Sequence, residues 1–112
     1  MKTVPVLPSI NIKQSIMFYE TVLGFTGINA GDHAVLKKDD TELHLTECHD
    51  KSVCEGSSCY IKVTDVFCLY SRLASQGIIY PANKLLDLPG GKKGFTLKDN
   101  SGVLLHFVQE KF

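Results

Sequence analysis

The stretch Gly94–Gln109 reads GFTLKDNSGVLLHFVQ. Two alternating runs, Gly94–Lys98 and Val103–Gln109, flank Asp99-Asn100-Ser101-Gly102. Residues of this kind supply the side-chain-to-backbone bonds and positive φ angles that tight turns need, so the stretch predicts a β-hairpin. Its second run contains Leu105-His106-Phe107, and Leu43-His44-Leu45 echoes it 62 residues earlier. That echo sits in another alternating pair, His33–Lys38 and Thr41–Glu47, joined by Asp39-Asp40. The chain therefore reads as two copies of one pattern.

Working outward from each hairpin completes the pattern. Before the first lie an apolar run broken by prolines, Val4–Leu7, and then a helical stretch. Asn11 can cap that helix, Ile12, Ile16, Tyr19, Val22 and Leu23 recur at helical spacing, and Gly24 stops it. Residues 26–30 form a short strand and Gly31-Asp32 a turn. Before the second hairpin, Ser58–Val63 alternates as a strand. Thr64 or Asp65 caps a helix with Val66, Leu69, Tyr70 and Leu73 on one face, and Gly77 ends it. Ile78–Gly91, with Pro81, Pro89 and Gly90-Gly91, reads as irregular. Phe18-Tyr19 and Leu69-Tyr70 match in the two helices. The fold class is α+β, with two βαβββ modules in a single domain over 1–112. Module one spans about 1–47, a polar connector spans 48–57, and module two spans about 58–112. Neither half alone is large enough to enclose a core, so two copies pairing their sheets is the physical expectation.

The composition narrows the function. Of 112 residues, 44% are hydrophobic and 21% charged, and the 12 basic residues balance the 12 acidic ones. That balance excludes the basic surplus of a nucleic-acid binder, and no apolar run is long enough to span a bilayer. The N-terminus lacks the apolar region of a signal peptide, so a cytoplasmic protein is expected. Cys48, Cys54, Cys59 and Cys68 have neither metal-finger nor Cys-x-x-Cys spacing and read as free thiols. No nucleophile elbow or P-loop is present. Lys92 and Lys93 among Gly90, Gly91 and Gly94 form a basic, glycine-rich loop.

Three groups of residues carry a family resemblance. Val4-Pro5-Val6-Leu7, Ser15-x-x-Phe18-Tyr19 and Leu23-Gly24-Phe25 resemble the opening of bleomycin-resistance proteins. Val63-x-Asp65-Val66-x-x-Leu69-Tyr70 is similar to their second helix entry. Phe95-Thr96-Leu97-Lys98-Asp99-x-x-Gly102-x-Leu104-Leu105-x-Phe107 resembles their closing hairpin. Order and spacing together place the chain near the glyoxalase/bleomycin-resistance family of the vicinal-oxygen-chelate superfamily.

The resemblance implies curved mixed sheets around a cleft, completed by a second subunit as a homodimer. It also implies one of two activities: a divalent-metal enzyme, or a metal-free binder that sequesters a drug in grooves at the dimer interface. The family's metal-binding positions fall on Val4, His44, Ser58 and His106. Valine cannot ligate and a serine hydroxyl is a poor ligand, so no metal cofactor is expected. The family's Trp-Gly and Arg-Glu-Phe motif is replaced by Gly90-Gly91-Lys92-Lys93-Gly94-Phe95.

Strand alternation puts Glu42, His44 and Thr46 opposite Leu43 and Leu45. It likewise puts Leu104, His106 and Val108 opposite Val103, Leu105 and Phe107, so both histidines face the cleft. The expected binder holds a small organic ligand, bleomycin-like, by stacking on His33, Tyr60 and Phe95. Polar contacts come from Glu42, His44, Ser58 and His106. The alternative is a metal-dependent lyase, isomerase or thiol transferase with an altered site built on His44 and His106.

Overall fold

A computed structural model describes residues 1–76, 79–80 and 84–110, with Ile79 and Tyr80 described by their backbone alone. The expected breaks at Gly77, Ile78 and Pro81 lie outside the described residues. The contacts divide the chain into two units. One holds Met1–Ser57 with Asp99–Val103, and the other holds Ser58–Lys98 with Leu104–Phe112.

In the first unit, strand β1 (Val6–Ser9) leads into helix α1 (Ile12–Leu23), followed by β2 (Thr26–Asn29), β3 (His33–Lys38) and β4 (Thr41–Glu47). Asn11 is extended and its side chain accepts the Gln14 N–H at 3.0 Å, which starts the helix. Gly24 ends it with φ 77°, a left-handed conformation that costs glycine little. The sheet order is β1-β4-β3-β2, with β1 parallel to β4 and the other pairs antiparallel. Pro8 sits in the edge strand, where a missing N–H breaks no inner ladder. Helix α1 buries Ile12, Ser15, Tyr19 and Leu23. Leu7, Ala34, Leu36, Leu43 and Leu45 complete that core.

A short helix α2 (Lys51–Glu55) follows, where the sequence had suggested only a polar connector. Asp50 caps it by accepting from Ser52 N at 3.0 Å, and Cys54 is its buried residue. Five residues are too few for periodicity to register. All four cysteines are free thiols, as expected.

The turn Asp99–Val103 supplies the first unit with a polar cluster. Tyr19 Oη donates to Asp99 Oδ2 at 2.7 Å, and Asp99 Oδ1 accepts from the N–H groups of Ser101 and Val103 at 2.8 and 3.0 Å. Ser101 Oγ accepts from Ile10 N at 3.0 Å, and Asn100 donates to Ser15 Oγ at 3.0 Å.

The second unit repeats the order with one change. It runs β5 (Ser58–Lys62), α3 (Val66–Ala74), β6 (Ile79–Tyr80), β7 (Leu86–Leu88), β8 (Lys92–Lys98) and β9 (Leu104–Gln109). The sheet order is β5-β9-β8-β6, and β7 also pairs with β8. β6 meets β8 at Thr96 and Leu97, while β7 meets it at Lys92 to Gly94. The two short strands therefore share the edge that β2 alone fills in the first unit. The expectation of an irregular Ile78–Gly91 is thus corrected: it holds two strands and a 3-10 turn at Pro89–Gly91. Each strand has only two or three residues, too few for alternation to show. Asp65 caps α3 by accepting from Cys68 N at 3.0 Å. Val66, Leu73, Phe95, Leu97, Leu105 and Phe107 are buried. The architecture is α+β, built from two mixed sheets of one topology. Among the described residues no helix is long and apolar enough to cross a membrane.

Candidate functional site

In each unit one sheet face is core, and the candidate residues other than Phe95 stand on the other. In β4, Leu43 and Leu45 are buried while Glu42 and His44 between and beside them are half-buried. The register places Val6 of β1 on one side of His44 and Val35 of β3 on the other. His33 lies on this face too, its ring edge-on to His44 with centroids 5.3 Å apart. His44 Nε2 and Glu42 Oε2 are 2.7 Å apart, and Lys2 Nζ donates to the other carboxylate oxygen at 3.4 Å. The bond to His44 holds the Glu42 carboxyl below the usual carboxylate range; burial opposes this and the Lys2 contact adds to it. His33, Glu42 and His44 are thus brought together on one face, with Lys2 at its edge. Val6 and Ile28, on the same face, are 56% and 60% exposed.

In the second unit the register sets Tyr60 of β5 and Thr96 of β8 on either side of His106. Thr96 Oγ1 and His106 Nδ1 are 2.8 Å apart. Ser58 is exposed and stands two residues from Tyr60, on the same face at the start of β5. Tyr60, Leu86, Leu88, Thr96, His106 and Val108, with the Gly94–Phe95 segment, line a groove of about 290 Å³. Phe95 does not offer the expected stacking surface. Its side chain is 2% exposed, pairs with Phe107 across the ladder and stacks on it at 5.3 Å between centroids. Phe95 shares strand parity with Leu97, so its ring belongs to the core face.

Sequence reasoning missed Thr96, Leu86 and Leu88, and it placed Val108 on the face of His106 without naming it as a ligand contact. Thr96 was within reach of the alternation in Gly94–Lys98, but its partner depends on the length of the turn. The sequence suggests a four-residue turn and Lys98 opposite Val103. The structure has Asp99–Val103 as the loop and Lys98 opposite Leu104, a slip of one residue. Under the four-residue reading Thr96 would oppose Leu105, not His106.

A metal of the kind held by enzymes of the resembled family does not fit either unit. The strand neighbours of the two histidines are Val6 and Tyr60, one pleat along from Val4 and Ser58. Valine offers no donor, and a neutral phenol is a weak one. Among the described residues no three His, Cys, Asp or Glu side chains gather as a metal-binding group.

Known proteins share both the sequence and the shape. The model of the glyoxalase/bleomycin resistance protein/dioxygenase superfamily matches residues 5–107. Bleomycin resistance proteins of Geobacillus stearothermophilus and Staphylococcus aureus are 31% identical, covering 98% of this chain and 97% of theirs. A bleomycin-binding protein of Streptomyces verticillus, solved with copper(II)-bleomycin, superposes with a TM-score of 0.85 at 25% identity, covering 96% of this chain and 93% of its own. A bleomycin resistance determinant encoded on transposon Tn5 gives a TM-score of 0.86 at 23% identity, covering 100% and 99%.

Proposed function

This chain belongs to the glyoxalase/bleomycin resistance protein/dioxygenase superfamily, and from that premise we propose that it binds and sequesters a bleomycin-like drug without chemically altering it. The carrying observation is the pair of sheet faces that bear His44 and His106. Each sets a half-buried imidazole beside exposed apolar groups: Val6 and Ile28 in one unit, Tyr60 and Leu86, at 51% and 37% exposure, in the other. Apolar surface left in water beside oriented polar groups is the usual composition of a binding face. A cationic ligand group can take the place of Lys2 at the Glu42 carboxylate, and His33 and Tyr60 give both faces a ring to stack on. His44, His106 and Ser58 supply hydrogen bonds.

The protein acts as a homodimer in the cytoplasm, each copy covering part of the other's exposed apolar face, with one drug per chain. No metal of its own is required. The relatives named for bleomycin resistance and binding support this choice of ligand.

Calorimetric titration of metal-free bleomycin into chelator-treated protein tests the reading, with sedimentation equilibrium run in parallel. The expected result is saturation at one drug per chain with a dissociation constant on the order of 1 μM or tighter, on a dimer. Tyr60→Ala should weaken binding about tenfold through lost stacking and contact area. No heat and no thermal shift at a large excess of drug would overturn it.

A further inference from the structure

The groove of the second unit has an unusual balance of groups. Its walls are the side chains of Tyr60, Leu86, Leu88 and Val108, and none of the described residues lining it carries a formal charge. Of the charges on β7 and β8 beside it, Lys92, which shares the strand parity of Thr96, is paired with Glu110 at 3.7 Å, and Asp87 and Lys93 are paired with each other. An ion entering this groove would lose hydration with no opposite charge to replace it. At about 290 Å³ the space suits one or two fused rings.

The polar feature is His106, and Thr96 sets its chemistry. Thr96 Oγ1 lies 2.8 Å from Nδ1, and two proton arrangements fit that distance. If Nδ1–H donates, the threonine hydroxyl hydrogen is left with no acceptor among the described residues. If the hydroxyl donates to Nδ1, that one bond satisfies both the hydroxyl hydrogen and Nδ1, and the ring proton sits on Nε2. Nε2 itself has no partner among the described residues. The matching histidine of the first unit is held the other way round, through Nε2 by Glu42 at 2.7 Å. The two copies of the module have therefore given their histidines different tasks.

We infer that this groove receives a flat, uncharged ring carrying a hydrogen-bond acceptor, such as an aromatic nitrogen or a carbonyl oxygen. His106 Nε2–H is the donor to it, and Thr96 is the positioning residue that puts the proton there. The inference rests on the drug-binding reading and says which part of a ligand the second unit reads.

Two measurements by nuclear magnetic resonance test it. Nitrogen shifts of the His106 ring in the free protein at neutral pH should report the Nε2–H form. Thr96→Val should mix the two tautomers, and Thr96→Ser should restore the first. Quinoline and naphthalene, alike in shape and differing in one acceptor, are then titrated against the methyl resonances of Leu86, Leu88 and Val108. Quinoline should bind about fivefold more tightly, the worth of one modest hydrogen bond, and Thr96→Val should erase the difference. An Nδ1–H ring in the native protein, equal binding of the two probes, or no methyl response to either would overturn the inference. Metal-free bleomycin is titrated alongside. Drug binding with silent groove methyls sinks this inference and spares the proposed function. A quinoline response without drug binding does the reverse.

Discussion

The buried carboxyl of Asp99 shows how much one residue can carry. Burial pushes its pKa up, while bonds from Tyr19 and the backbone N–H groups of Ser101, Val103 and Gly102 pull it down; burial wins. A carboxyl whose folded pKa is raised binds its proton more tightly folded than unfolded. The folded state therefore carries a penalty above that pKa, and the penalty is relieved as pH falls through it. Tyr19→Phe removes one donor from the charged form and raises the pKa further. We expect it to cost about 1–3 kcal/mol at neutral pH. The deficit against the native protein should narrow as the solution is acidified through the raised pKa, because a protonated Asp99 has less need of that donor. Urea unfolding at several pH values measures both. A deficit that stays constant or widens on acidification would contradict this account. Glu42 has the opposite sign. Its pKa is lowered by His44, so its pairing favours the folded state above the usual carboxylate range and is lost as pH falls through that range.

At the scale of elements, the close approach of β7, β8 and β9 turns on Gly94. A Cβ there would meet Phe107 O at 2.6 Å and the side chains of Leu88 and Val108 at 3.1 Å. The first of these is backbone and cannot swing aside. Gly94→Ala should therefore cost about 1–3 kcal/mol by overpacking, with the ladder between β8 and β9 displaced. Gly91 has open space around it but a φ of 77°, so Gly91→Ala should cost only about 1 kcal/mol, through backbone strain. Chemical denaturation of the two variants separates steric from conformational cost, and equal losses would refute the distinction.

The same scale explains what could be read in advance. α1, β3 and β4 were legible because each is long enough for its period to show, and Asn11 and Gly24 mark the ends of α1. The faces of His44 and His106 followed from the same alternation. α2, β6 and β7 were not legible, since two to five residues hold no period. Thr96 beside His106 was hidden for another reason: their pairing depends on a five-residue loop where the composition suggested four. Phe95 was misplaced because aromaticity alone does not say which face a strand residue takes.

For the whole molecule, the division of the hairpin between units matters most. Asp99–Val103 belongs to the first unit, while β8 and β9, which it joins, belong to the second. The bonds of Asp99, Asn100 and Ser101 to Tyr19, Ser15 and Ile10 thus tether the first unit to strands of the second through four peptide bonds or fewer. Separate unfolding would require that polar cluster to open while β8 and β9 stayed paired, leaving buried serines and a tyrosine hydroxyl without partners. The units should therefore unfold together. Native-state hydrogen exchange measures this directly on the amides of Leu45 and Leu105, one in each core. Both should open with the same free energy, and Asp99→Ala should lower both by about 2 kcal/mol. Protection lost at Leu45 while Leu105 keeps its own would show that the turn does not couple the two. In the coupled case a ligand held on either face stabilises both modules at once, since anything that binds only the folded state adds to the single opening free energy they share.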